Sequence, residues 1–111
     1  MIGKLIKIFR KERKIGVIEL SKKLGINRIS LFRIEKGQRF PSEETAIKAF
    51  KILGLSEENI YQIFVLNELF RLGGISEETR NKELGRLLRR LNKKDNDSKI
   101  IYRYLSKRFK L

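Results

Sequence analysis

Arg28 and Arg33 are the residues best suited to chemistry in this 111-residue chain. They stand in the stretch Leu20 to Pro41, LSKKLGINRISLFRIEKGQRFP, with Ile29 and Phe32 between them. An arginine fork donates to two acceptors at once, as the edge of a guanine offers, and Ile or Phe packs on a thymine methyl. That chemistry recognises rather than transforms. The chain has no Cys and no His, so disulfides, thiolate zinc sites and Cys/His or Ser/His/Asp catalytic sets cannot be assembled. No close acidic cluster has metal-ligand spacing. The composition points to a binding protein with no cofactor and no enzymatic activity.

The partner is indicated by charge. The formal net charge is +14. Residues 1–42 hold 12 Lys/Arg against 3 acids, residues 43–79 hold 3 against 7, and residues 80–111 hold 12 against 3. Two basic blocks flank an acidic middle, which suits a polyanion. Hydrophobic residues make up 41%, enough for a packed core rather than a disordered tail. No window approaches the roughly 20 apolar residues that span a bilayer. The N-terminus has no apolar run with a small-residue cleavage site. A cytoplasmic, nucleoid-associated protein with no membrane partner is expected.

Helical periodicity must position these groups. A first helix is expected over Gly3–Lys14, with Leu5, Ile6, Ile8 and Phe9 as its apolar stripe. A second runs over about Val17–Leu24 and stops at Gly25, a good left-handed cap residue. Asn27 caps a third, which turns Leu31 and Ile34 inward and ends at Gly37. Ser42, followed by Glu43 and Glu44, opens a fourth helix with Ala46, Ala49, Phe50 and Leu53 on one side. A fifth follows Ser56 to about Leu72 and is apolar on more than one side. Gly73-Gly74 breaks the chain. Ser76 opens a sixth helix to about Asn92, with Leu84, Leu87, Leu88 and Leu91 as its stripe. Lys93–Ser98 reads as a polar connector, and a last helix is expected over Lys99–Lys110. No strand signal is present. The fold class is all-α, with a five-helix domain over 1–72 and about two additional helices in a basic extension over 73–111.

From about Leu5 to Leu55, half the chain, the sequence resembles the helix-turn-helix domain of the phage repressor and Cro family, also called XRE-like. The resemblance rests on Leu20, Ser21, Leu24, Gly25, Ile26, Leu31, Ile34, Glu35, Gly37, Pro41 and Leu53-Gly54, in order and without a gap. Small Ser21 lets the second and third helices cross closely, Gly25 permits their tight turn, and Ile26 plugs that turn. The family implies a repressor-like fold whose third helix enters the major groove of double-stranded DNA. It implies that Arg28, Ile29 and Arg33 read bases, and Phe32 shares their exposed face. Ile29 and Phe32 also admit a core reading, but Leu31 and Ile34 already fill the inward positions. The resemblance implies backbone contacts from Gln38, Arg39 and the amide of Phe40, and an ion pair between Arg10 and Glu35. Asn27, at the start of the third helix, is placed for a phosphate, and Lys14, Lys22 and Lys36 add charge. The chain departs from the family at Val17, where a Gln often touches the DNA backbone.

Residues 56–111 are read without that help. The surplus apolar surface at Leu66, Leu69 and Leu72 is expected to be covered by the last helices, by a second copy in a homodimer, or by a protein partner. The basic C-terminal helices admit three readings: auxiliary phosphate contact, acidic lipid, or a solvated face. A leucine stripe without Trp argues against insertion in lipid. The leading expectation is a sequence-specific transcriptional regulator, most simply a repressor. Two alternatives stay open. One is a DNA-tethered interaction module, such as an antitoxin or an adaptor in replication or partition. The other is a sequence-neutral architectural DNA-binding protein.

Overall fold

The computed structural model describes residues 1–90 and 95–109, and every regular element among them is helical. In chain order these are α1 (Ile2–Glu12), α2 (Val17–Leu24), α3 (Arg28–Glu35), α4 (Glu43–Ile52), α5 (Glu57–Arg71), α6 (Glu77–Arg89) and α7 (Asn96–Phe109). Leu91 and Lys110, expected in the last two helices, lie outside the described residues. The chain groups into two compact units, residues 1–60 and 61–111. The division falls within α5.

The helices start where side chains can satisfy free N–H groups. Asn27 Oδ1 accepts from Ile29 N at 2.7 Å, Ser42 Oγ from Thr45 N at 3.1 Å, and Ser76 Oγ from Thr79 N at 3.2 Å. Ser56 Oγ accepts from Asn59 N at 3.1 Å. Each bond pairs a donor that the helix itself leaves open. The last helix starts earlier than expected. Asp95 caps it through Asp97 N at 3.1 Å and Ser98 Oγ at 3.2 Å, so Asn96–Ser98 are helical rather than a connector.

Four helices stop in one way. At Gly25, Gly37 and Gly54, φ lies between 72° and 84°. There the N–H groups of each glycine and its successor return to carbonyls of the last turn, as in Gly25 N to Lys22 O at 3.1 Å and Ile26 N to Ser21 O at 3.0 Å. The end of α1 repeats the pattern with Lys14 N to Lys11 O and Ile15 N to Arg10 O, both 3.0 Å. Its left-handed residue is Lys14, at φ 57°. A side chain there meets the steric cost that glycine avoids.

In the first unit Leu5, Ile6, Phe9, Leu20, Leu31, Ala49 and Phe50 are buried, and Phe9 meets Phe50 edge to face at 6.3 Å. Arg13 lies 5.0 Å over the Phe9 ring and donates from Nε to the Leu53 carbonyl at 2.7 Å, at the end of α4. Gly3 is buried, and a Cβ at that position would overlap the Ile34 carbonyl of α3. The start of α1 therefore rests backbone against backbone on the helix that carries Arg28 and Arg33.

In the second unit Ile63 and Leu66 of α5, Leu84 and Leu88 of α6, and Ile101 and Leu105 of α7 are buried. Leu66, expected at a dimer or partner surface, is only 2% exposed within the single chain. It is withdrawn from that surface because its own chain already covers it. Leu69 is half-buried, and Leu72 stays exposed.

Two substitutions test this packing by urea denaturation. Lys14→Gly relieves a left-handed side chain and is expected to add about 0.5–1 kcal/mol. Gly3→Ala forces α1 away from α3 and is expected to cost about 1–3 kcal/mol. An unchanged midpoint for Gly3→Ala would show that the two backbones are not in close contact.

Candidate nucleic-acid interface

The candidate surface is built on α3, a helix of eight residues. At about 100° per residue, positions 28, 29, 32, 33 and 36 share one side, 31 and 34 lie opposite, and 35 falls at the edge beside 28. Leu31 and Ile34 are buried, whereas Ile29 is 54% and Phe32 48% exposed. Arg28, Arg33 and Lys36 are exposed around them. Lys36 Nζ sits 4.5 Å over the Phe32 ring, so this phenyl carries a cation rather than filling a core site. The surface presents two apolar side chains among three cations and no acid.

Glu35 does not oppose that charge, because it is turned inward and paired. It is 3% exposed, and Arg10 is 8% exposed. Arg10 donates from Nε to Oε2 at 2.8 Å and from Nη2 to Oε1 at 2.9 Å, a two-bond fork. Its remaining nitrogen, Nη1, donates to the Ile15 carbonyl at 3.0 Å. One guanidinium thus ties α1, the turn before α2, and the end of α3. The hydrogen bond that Arg10 donates to Glu35 raises the Arg10 pKa above its ordinary value, against the opposing effect of burial. A raised basic group stabilises the fold below its unfolded pKa and loses that contribution only as pH climbs through the folded one. For an arginine this window lies far above neutrality, so the pair brings no pH dependence through Arg10 near pH 7.

The turn between α2 and α3 is held by small residues. Ser21 is buried, and its hydroxyl donates to the Ile18 carbonyl at 2.8 Å. Gly25 takes the left-handed conformation. Ile26 in the turn is partly buried.

The loop after α3 continues the same edge. Gln38, Arg39 and Phe40 are exposed, and Arg39 Nη1 donates to Ser30 Oγ of α3 at 3.0 Å. Asn27 spends its side-chain oxygen on the cap of α3, leaving its amide group exposed. Lys14 lies in the turn after α1 and Lys22 on α2, both exposed and outside the α3 face. Val17, where the family often has Gln, is half-buried.

Sequence reasoning missed the bond made by Ser30 and the exposure of two apolar side chains. Ser30 anchors Arg39, which no local pattern signals. Ile18 is 51% exposed beside Val17. Phe40, chosen for its amide, has a side chain that is 91% exposed. An unsupported aromatic before a proline is a legible signal of a loop tip.

The arrangement is a tight two-helix motif with a basic, partly apolar outer helix. The family model described as a helix-turn-helix domain matches residues 3–63. The chain belongs to that family. A Methanocaldococcus jannaschii protein described as an uncharacterized HTH-type transcriptional regulator is 36% identical over 56 residues, covering 50% of this chain and 85% of the relative. No solved structure is a significant match.

Removing one partner of the buried pair should separate its two roles. Glu35→Gln strands a buried guanidinium and is expected to cost about 3–5 kcal/mol in urea denaturation. Replacing both partners, Arg10→Met with Glu35→Leu, is expected to recover most of that loss. A double variant as unstable as the single one would mean that the pair itself, rather than the stranded charge, sets the cost.

Proposed function

We propose that this protein is a sequence-specific, double-stranded DNA-binding transcriptional regulator that acts as a repressor by occupying an operator. The observation that carries the proposal is the outer side of α3, where Arg28, Ile29, Phe32 and Arg33 stand together on a helix braced by the buried Arg10–Glu35 pair. In this reading α3 lies in the major groove. Arg28 and Arg33 fork onto guanines, and Ile29 and Phe32 pack on thymine methyls. Asn27, Gln38, Arg39 and the Phe40 amide hold the phosphates that set the register, with Lys14, Lys22 and Lys36 adding charge. At Val17 the polar backbone contact is either lost or replaced by Lys14 or another basic residue. No cofactor is required, and the role is binding rather than catalysis.

A homodimer would present two such helices to half-sites about 34 Å apart. Leu72, 53% exposed, and half-buried Leu69 are the residues proposed for that contact. A second reading is an interaction module tethered to DNA. It is favoured by the exposure of Tyr61 at 70% and Ile75 at 41%, since large apolar side chains left open suit a protein partner. No described helix is long and apolar enough to cross a membrane.

Selection from a random duplex library near physiological salt tests the main proposal. An inverted repeat with two fixed half-sites is the expected result. Arg28→Ala and Arg33→Ala should each then cost about 1–3 kcal/mol on the selected site and little on a scrambled one. Tight binding without enrichment would sink the base-reading roles.

A further inference from the structure

The second unit gathers cations that no carboxylate answers. Phe70, near the end of α5, has the Arg80 guanidinium of α6 at 4.9 Å from its ring centroid and that of Arg108 of α7 at 5.7 Å. Phe109 packs against Phe70 with centroids 4.7 Å apart, and Arg108 lies 5.7 Å from that ring as well. Elsewhere in this unit arginines find acids on their own helices: Arg71 pairs with Glu68 at 3.5 Å and Arg86 with Glu83 at 3.4 Å. Among the described residues Arg80 and Arg108 form no ion pair.

A guanidinium stacked on an aromatic face keeps its N–H groups in the plane of its edge, aimed past the ring. Arg80 Nε is buried without a hydrogen-bond partner, and so is the Tyr104 hydroxyl, one turn before Arg108 on α7. Both atoms are closed to solvent, so neither can meet a phosphate outside the fold; burial raises the Tyr104 pKa, with Arg108 opposing it. The donors left for an outside acceptor are the guanidinium ends of Arg80 and the exposed Arg108. Two guanidinium groups around one aromatic pair suit phosphate oxygens.

We infer that Arg80 and Arg108, held on the Phe70–Phe109 pair, form a second, sequence-independent binding site for the phosphates of a nucleic-acid backbone. The inference rests on the DNA-binding reading above and adds a site to it. An extended strand fits better than a free anion because the charge does not end at the cluster. Residues 80–111 hold 12 Lys/Arg against 3 acids, and Arg89, Arg90, Lys99, Arg103 and Lys107 are exposed along the same two helices. Two guanidinium groups around one ring can meet neighbouring phosphates of one strand.

The first test is NMR of the side-chain Nε–H groups in the full chain, titrated with a short scrambled duplex near physiological salt. Shifts at Arg80 and Arg108 support the site, whatever Arg28 does. A shift at Arg28 with none at Arg80 or Arg108 overturns the site and leaves the α3 interface standing. No shift at any of the three overturns both. Inorganic phosphate alone and anionic lipid vesicles are run beside the duplex, and equal or larger shifts with either overturn the assignment to nucleic acid. The second test is the Arg80→Gln/Arg108→Gln pair. It should weaken cognate and scrambled duplexes by the same factor, on the order of tenfold, and lower the salt slope by about 2, because each phosphate contact adds about 0.9. Arg108→Gln alone, at an exposed side chain, should weaken both duplexes by a smaller equal factor and serves if the arginine pair fails to fold. Unchanged affinity and slope in a folded variant overturn the site.

Discussion

The buried fork between Arg10 and Glu35 is the constraint on which the first unit depends. It crosses from the last turn of α1 to the last residue of α3, and the spare nitrogen of Arg10 holds the Ile15 carbonyl in the turn between α1 and α2. Taking both charges from water costs several kcal/mol per ion, and close bidentate geometry offsets most of it. Such a pair contributes position more than net stability. A slip of α3 along its axis would break two short bonds at once and leave an unpaired charge inside. The pair also removes the only acid of α3 from its outer side, so the helix shows solvent a purely basic edge.

Backbone contact supports the same placement. Gly3 brings the first turn of α1 against the Ile34 carbonyl, one residue before Glu35. Arg13 holds the far end of α4 through the Leu53 carbonyl. Gly3 and Arg10 of α1, with Arg13 at its C-cap, thereby set where the outer helix stands. None of them lies on the candidate interface. The charge that faces outward and the charge that locates it belong to different helices.

The second unit handles charge differently. Arg71 and Arg86 pair with acids one turn away at the surface, whereas Arg80 and Arg108 lie on the rings of Phe70 and Phe109. Cation–π contact keeps a guanidinium in place without consuming its donors, whereas an ion pair consumes them. Arg10 is locked and spent, while Arg80 and Arg108 are held and still available.

Features that depend on a few neighbouring residues were legible in the sequence. The caps at Asn27, Ser42, Ser56 and Ser76, the glycine stops at 25, 37 and 54, and the alternation of Leu31 and Ile34 with Arg28, Ile29, Phe32 and Arg33 all follow from bonds spanning one helical turn. The helical class and the two-helix motif followed from them. The resemblance named Arg10 and Glu35 as partners, but spacing alone would not have joined residues 25 positions apart. Features that need a distant partner were decided only by the tertiary structure. Gly3 reads as a weak helix former until Ile34 lies against it. Leu66 reads as surplus surface until its own chain covers it. Asp95 reads as connector until α7 begins on it, and Lys14 takes a glycine's conformation because the turn after α1 demands it. The chain divides into its two compact units within α5 for the same reason. A continuous helix shows no break in its sequence, yet its two ends pack in different cores, and burial, unlike capping, is settled by what the folded chain brings alongside.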